Sequence, residues 1–310
     1  MRPTTRAFLG LAAAGAAGLA YAHWETTSFR LRHATAPVLD PGQAPLRVLH
    51  VSDLHMTPNR HEERSWVRGL RALHPDLVVV TGDFLAHPDA VPVVLDTLEP
   101  LMDVPGVFVL GSNDYYAPRP LNPARYLFGP SDIRDDLPTL PWPDLVAGLT
   151  SAGWHDLSNA RAVVAAGGLR LDVRGVDDPH IRRDRYAEVA GPFDDRADLA
   201  LGVAHAPYLR VLDAMAADGA DLVLAGHTHG GQLCLPGFGA LVTNCDLDRS
   251  RASGLSTHTS AQDPARTSWL HVSAGLGTSP YAPFRFACPP EATLLTLTAR
   301  SVLGPVEALG

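Results

Sequence analysis

The chain has 310 residues, 46% of them apolar, enough for one large domain or two small ones around a substantial core. Its formal net charge is −8, all 25 basic residues are arginine, and no basic block stands out beyond Arg182-Arg183 and Arg185. A nucleic-acid partner, which calls for a basic stripe, is therefore not expected. The three cysteines, Cys234, Cys245 and Cys288, have neither CxxC spacing nor an even count. That argues against a disulfide framework and leaves buried thiols, or at most one bridge.

Arg2 and Arg6 precede Phe8 to Tyr21, an uncharged run rich in Ala and Gly that leads into Ala20-Tyr21-Ala22, a small-x-small site. These features describe an N-terminal export signal over residues 1–22. An uncleaved anchor is the close alternative, although the run is short of the roughly 20 residues a membrane span needs. The expectation is a membrane-associated or exported protein, with its main domain outside the cytoplasm. Residues 23–45 read as a tether, 46–300 as that domain and 301–310 as a tail.

From Leu46 strands and helices alternate. Leu46–Val51 reads as a buried strand, Glu62–Leu73 as a helix with Trp66, Val67, Leu70 and Leu73 on one face, and Leu77–Val80 as the next strand. A helical stretch, Pro92–Leu101, leads to strand Val107–Leu110. This is the rhythm of a parallel sheet. Tyr115 to Pro143 breaks it with seven prolines in 29 residues, which permits no long helix or central strand there; it reads as a rim or lid, or as a surface excursion. Ala162–Ala166 and Leu169–Val173 flank Gly167-Gly168 as a hairpin. Strand Leu199–Ala204, helix Tyr208–Ala217 and strand Leu222–Ala225 follow, and Trp269–Ser273 and Ala292–Leu297 read as closing strands.

Residues of metal-ligand type follow five of these apolar runs: Asp53-Leu54-His55, Gly82-Asp83, Gly111-Ser112-Asn113-Asp114, His205, and Gly226-His227-Thr228-His229. Strand ends gather on one edge of a sheet, where α/β folds keep their sites. Asp53 and His55, alternate residues leaving a strand, are expected to point to the same side. Two imidazoles at i and i+2 behind a strand-terminating glycine are hard to explain as packing. The remaining histidines, among them His23, His74, His87, His180 and His258, lack such a setting and read as structural or solvated. Mixed nitrogen and oxygen ligands suit two divalent ions such as Mn, Fe or Zn, and the lack of thiolates disfavours a structural Cys–Zn site. Two ions about 3.5–4 Å apart form a clamp for displacement at phosphorus.

In order and spacing these segments closely resemble the calcineurin-like metallophosphoesterase superfamily, from about Leu46 to Leu297. Gly230-Gly231-Gln232 and the apolar N-terminus resemble its membrane-associated bacterial branch. The resemblance implies a four-layer α/β/β/α sandwich with mixed sheets, the second formed by an antiparallel-looking second half. It also implies one metal on Asp53, His55 and His229, bridged by Asp83 to a second metal on Asn113, His205 and His227.

The third segment departs from the family pattern G-N-H-D. Aligned without a gap, Ser112 replaces the ligand Asn and Asn113 replaces the histidine that protonates the leaving group. Shifted by one, Asn113 remains the ligand and that histidine is absent. Either way the imidazole is missing and Asp114, its orienting carboxylate, is retained. Asn cannot donate a titratable proton, so Tyr115, Tyr116 or His180 are candidate substitutes. Asn113 is the preferred ligand, since a serine hydroxyl ligates poorly. The resemblance implies a phosphoric ester hydrolase, a phosphodiesterase acting on a lipid-linked or cell-envelope phosphoester. The alternative is a metal-binding envelope protein of the same fold with weak or lost catalysis.

Overall fold

The computed structural model describes residues 3–120 and 137–300. Most of the proline-rich segment therefore lies outside the described residues, as does the tail. The N-terminal run forms α1 (Pro3–Glu25), and β1 (Arg30–Leu39) and β2 (Leu46–Val51) follow. Ten of the 23 residues read as a tether thus form a strand. β1 pairs in parallel with the last strand, β14 (Glu291–Ala299), as the sheet's outer member. Its arginines and threonine hid it from a search for apolar runs. Pro37, which has no N–H to give, sits where the register shifts, as expected for an edge.

The first sheet has the order β1-β14-β2-β3-β4-β5, with β3 at Leu77–Thr81, β4 at Gly106–Val109 and β5 at His155–Asp156. β2 to β5 run parallel, and β14 runs against β2. Their crossovers carry α2 (His61–Gly69), α3 (Val91–Leu98), the single turn α4 (Ser112–Tyr115) and α5 (Trp142–Ser151). Proline density concealed α5 from the sequence reading. Pro143 lies in its first turn, where a missing N–H costs nothing.

The second sheet is built from β6 (Ala160–Ala166), β7 (Leu169–Gly175), β8 (Leu199–Val203), β9 (Leu222–Ala225), β12 (Gly254–Thr259) and β13 (Thr267–Val272), in the order β12-β13-β9-β8-β7-β6. It corrects the expectation of an antiparallel half. β13, β9, β8 and β7 are parallel, and only the edge strands β6 and β12 are antiparallel. The β6–β7 hairpin expected from the sequence and the β12–β13 pair, which was not expected, are the margins of a parallel centre. α6 (Leu209–Ala217) crosses from β8 to β9, and the small hairpin β10–β11 (Cys234–Leu235, Gly239–Ala240) lies apart.

Alternation along the strands makes the layers. Leu46, Val48, Leu77, Val79, Val107 and Val109 pack against Leu171, Val173, Leu199, Leu201, Leu222 and Leu224 between the sheets. The alternate residues Leu49, Val51, Val78, Val80 and Phe108 meet α2, α3 and α5 through Val67, Val94, Leu98, Leu145 and Leu149. On the far side Val211, Leu212 and Met215 of α6 cover Val223, Leu270 and Val272. The fold is an α/β/β/α sandwich, and the carboxyl ends of β2, β3, β4, β8 and β9 open on one edge.

The last turn of α1 rests on the domain. Ala22 is buried and its carbonyl accepts the Arg285 N–H at 2.9 Å. The buried Glu25 carboxylate accepts the Tyr21 hydroxyl at 2.7 Å and the Cys288 N–H at 3.1 Å. Among the described residues no helix is long and apolar enough to cross a membrane.

Candidate metal centre

Asp53 and His55 follow β2, Asp83 follows β3, Gly111 to Asp114 follow β4, His205 follows β8, and His227 and His229 follow β9. The strand-pleat argument for Asp53 and His55 does not hold, because both stand beyond the strand's end with left-handed backbones, φ 52° and 43°. Asp83, His227 and His229 share that conformation, at 55°, 69° and 49°. Such backbones are uncommon outside glycine and cluster at functional sites. The loops stay in register because Asp53 N–H bonds to Gly82 O at 3.0 Å and His55 N–H to Asp83 O at 2.8 Å. Gly82 itself turns at φ +79°, and a Cβ there would stand 2.7 Å from the His205 ring. At Gly226 a Cβ would stand 1.9 Å from Ser52 Oγ and 2.7 Å from Asp53 Oδ2, so only glycine lets the His227 loop approach.

Two overlapping groups of side chains could each hold a cation: Asp53, His55 and His229, and Asp53, Asp83 and His205. His55 Nε2 lies 3.1 Å from His229 Nε2, and His229 Nε2 lies 3.6 Å from Asp53 Oδ1. Asp83 Oδ2 is 3.5 Å from His55 Nε2 and 3.5 Å from His205 Nε2, the position of a bridging oxygen. His227 Nδ1 adds a further donor 3.3 Å from His205 Nε2. Ligands about 2.0–2.2 Å from a shared ion stand roughly 3–3.5 Å from one another, and the spacing here matches. Asp53 Oδ1 is buried and accepts no hydrogen bond, an orphan that a cation would satisfy.

The protonation states also suit a cation. Burial holds His55 at about 4, and His227 and His229 well below the usual histidine range, so their lone pairs are free. His205 Nδ1 lies 2.6 Å from the Thr81 carbonyl and His227 Nε2 lies 3.2 Å from the Asn244 carbonyl. Those contacts place each N–H outward and the other ring nitrogen inward. Burial opposes charge on both Asp83 and His205. Their mutual attraction overrides it, holding the carboxyl well below and the imidazole well above their ordinary ranges. A cation taking His205 displaces that proton.

Asn113 is in the centre. Its N–H and its side-chain Nδ2 each lie 2.8 Å from an Asp83 oxygen. Ligation through Oδ1 requires a half-turn of the amide. Asp114 is placed differently from the expectation of a catalytic residue. Its two oxygens accept the backbone N–H groups of Phe84, Leu85, Asp83 and Gly111 at 2.7–3.0 Å. With every lone pair facing the main chain, it fixes the Asp83 loop and does not face the cation groups. Of the candidate substitutes for the missing histidine, Tyr115 is buried, donates to Asp177 at 2.8 Å and lies under Arg183. Tyr116 bridges to Thr139. His180 alone of the three packs its ring against a site residue, 4.6 Å from the ring of His227 and tilted 44° to it, with Nδ1 3.1 Å from the Tyr208 hydroxyl. Burial lowers it to about 4, so at neutral pH it offers a hydrogen bond and no acidic proton.

Sequence reading missed the residues behind Asp53. Ser52 Oγ donates to Asp53 Oδ2 at 2.5 Å, Thr81 Oγ1 donates to Ser52 Oγ at 2.6 Å, His50 Nε2 lies 2.9 Å from Thr81 Oγ1, and His271 Nδ1 lies 2.9 Å from His50 Nδ1. All five residues are buried. A carboxylate can only accept, and each hydroxyl has one proton. The chain therefore runs one way, from His271 N–H through His50, Thr81 and Ser52 to Asp53. No local spacing signals it, since His50 and His271 are 221 positions apart.

A family model described as calcineurin-like phosphoesterase matches residues 46–231, the greater part of the chain. The chain belongs to the calcineurin-like phosphoesterase family. It is a metallophosphoesterase, a phosphoric ester hydrolase. Three relatives illustrate the spread of this family. The phosphodiesterase YaeI of Escherichia coli is 28% identical over 295 residues, 92% of this chain and 94% of that one. The UDP-2,3-diacylglucosamine pyrophosphatase LpxG of Chlamydia trachomatis is 27% identical over 293 residues, 81% and 83% of the two chains. The uncharacterized protein YpbG of Bacillus subtilis is 27% identical over 200 residues, 64% of this calcineurin-like chain and 66% of its own.

Proposed function

We propose that this chain is a dimetal phosphodiester or diphosphate hydrolase acting on a lipid-linked or cell-envelope substrate outside the cytoplasm, held at the membrane by its N-terminal segment. The observation that carries the reading is Asp83 Oδ2 standing equally far from the His55 and His205 nitrogens, between two converging donor groups. Asp53, His55 and His229 would hold one divalent ion, and His205, His227 and Asn113 the other, with Asp83 between them. Bound ions would supply positive charge to the phosphoryl oxygens and acidify an attacking water. The chain itself positions the ligands through Asp114 and the Ser52 hydroxyl, and excludes water from beneath them.

The third motif supports a narrower substrate class. General acid catalysis is worth about 10²–10⁴-fold when the leaving group needs a proton. An alkoxide needs one, whereas a phosphate group, with a second pKa of about 6, leaves without one. A site lacking the imidazole suits a diphosphate or an activated diester better than an alkyl ester. The pyrophosphatase named among the relatives supports the same choice, and the apolar α1 run supports a substrate at a lipid surface.

The test is turnover of bis(p-nitrophenyl) phosphate, a dialkyl phosphate and a nucleoside-diphosphate lipid with Mn²⁺, by the native chain and by Asp83→Asn. The reading requires Asp83→Asn to lose nearly all activity, and the aryl diester and diphosphate to exceed the dialkyl ester by at least 10²-fold. Equal rates for native and Asp83→Asn protein would remove it. Fractionation that finds the full-length chain entirely in the cytoplasm would remove the envelope assignment.

A further inference from the structure

Two of the three cysteines, 54 positions apart in sequence, meet beside the His229 loop. Leu233 and Phe286 form a parallel bridge, and the Cys234 N–H donates to the Phe286 carbonyl at 2.8 Å. This brings Cys234 and Cys288 side by side. Both thiols reach the carbonyl of Gly230, at 3.2 and 3.5 Å. Cys288 Sγ also lies 3.2 Å from the carbonyl of His229. Ala240, Ala252 and Ala274 enclose the pair. The sulfurs lie just beneath the surface, with 9% and 7% of each residue exposed. Cys245 packs elsewhere, against the α6 side of the second sheet.

We propose that Cys234 and Cys288 are a disulfide-forming pair whose oxidation fastens the His229 loop and the β10–β11 hairpin to the segment that leads into β14. The need for a fastening is visible in the hairpin. Its two strands share only two residue pairs, Cys234 with Ala240 and Leu235 with Gly239, and isolated two-stranded hairpins are marginal in water. Its outer residues Leu235 and Phe238 are half to two-thirds exposed. It nevertheless continues directly from His229, a donor of the metal centre.

The chemistry balances with a low-molecular-weight disulfide as oxidant. Either sulfur can open the exchange once it loses its proton, and the product is the same bond. When Cys288 opens it, its thiolate attacks one sulfur of oxidised glutathione, forming a mixed disulfide and releasing one glutathione thiolate. Cys234 then loses its proton and attacks the Cys288 sulfur, releasing the second. Two protein thiols are oxidised, one glutathione disulfide is reduced to two thiols, and two protons pass to them.

The experiment equilibrates the purified full-length chain in oxidised and reduced glutathione, quenches with acid and alkylates under denaturing conditions. Unreduced peptides are then mapped by mass spectrometry. The expected product joins the peptides of Cys234 and Cys288, leaves Cys245 alkylated and disappears with dithiothreitol. Amide exchange over residues 230–240 should slow at least threefold in the oxidised form. Three alkylated thiols, glutathione retained on either cysteine alone, or pairing through Cys245 would each overturn the pairing. An intact Cys234–Cys288 bond with unchanged exchange would overturn the fastening.

Discussion

Replacing Thr81 by Val removes one hydroxyl from the middle of the chain that ends on Asp53 and keeps the side chain's shape. Thr81 is fully buried between His50 and Ser52. Without its oxygen the His50 Nε2–H has no acceptor, and Ser52 loses the donor that leaves its own proton for Asp53 Oδ2. One unsatisfied buried donor costs about 1–3 kcal/mol of metal-free stability, which leaves a protein of ordinary stability folded. The larger effect falls on metal binding. With Ser52 free to turn toward the Thr81 carbonyl 3.3 Å away, Asp53 is no longer held with Oδ1 inward. Loss of such an outer partner typically lowers metal affinity 10–100-fold, about 1.4–2.7 kcal/mol. Competition between a chromogenic chelator and the stripped protein for Mn²⁺ measures this directly. Thr81→Val should weaken the group containing Asp53, His55 and His229 by at least tenfold, and Thr81→Ser should restore it. Native affinity in Thr81→Val would refute the reasoning. Equal loss in Thr81→Ser would assign the effect to packing and refute it as well.

Asn113→Ala should reduce bound metal toward one ion per chain, measured by elemental analysis after dialysis; unchanged stoichiometry would remove Asn113 from the ligand set. Asp114→Asn turns an NH₂ toward two of the four N–H groups that the carboxylate accepts, so urea unfolding of the metal-free protein should show a loss of about 2–6 kcal/mol. A loss below 1 kcal/mol would argue against the clamp. Burial holds His271 at about 4 against an ordinary 6.5. The unfolded chain therefore takes up this proton first as pH falls, and the contribution, on the order of 3 kcal/mol, is complete above about 6.5 and lost toward 4. Metal-free His271→Leu should show a shallower loss of stability over that window than the native chain, and parallel curves would contradict the assignment.

The parts of this molecule legible in its sequence are those where one strand carries its own signal. Leu222–Ala225 is an apolar run closed by Gly226, and the structure places β9 over the same residues. β1 carries no such run because, as an edge, it needs few apolar side chains, and its partner β14 is some 260 positions away. The parallel centre of the second sheet was obscured because its flanking hairpins are local and its crossovers are not. The left-handed backbones of Asp53, His55, Asp83, His227 and His229 were also out of reach, since nothing in those residue types announces a positive φ.

The third motif shows why a matching residue type does not settle a role. Asp114 occupies the place of an acidic residue expected to orient an imidazole, and that imidazole is absent. Its carboxylate is nonetheless fully used. Four main-chain donors converge on it from two loops, and one belongs to Asp83, whose side chain stands between the two donor groups. The acid can thus disappear from the motif without releasing the aspartate, because the aspartate's main partners were never in the side chain beside it. Asn113 then occupies the turn that Asp114 anchors, and its own N–H reaches Asp83 Oδ1. The segment therefore retains what positions the bridging carboxylate and lacks what protonates a leaving group. On the proposed function, that combination keeps the metal ligands in place and favours leaving groups that depart as anions.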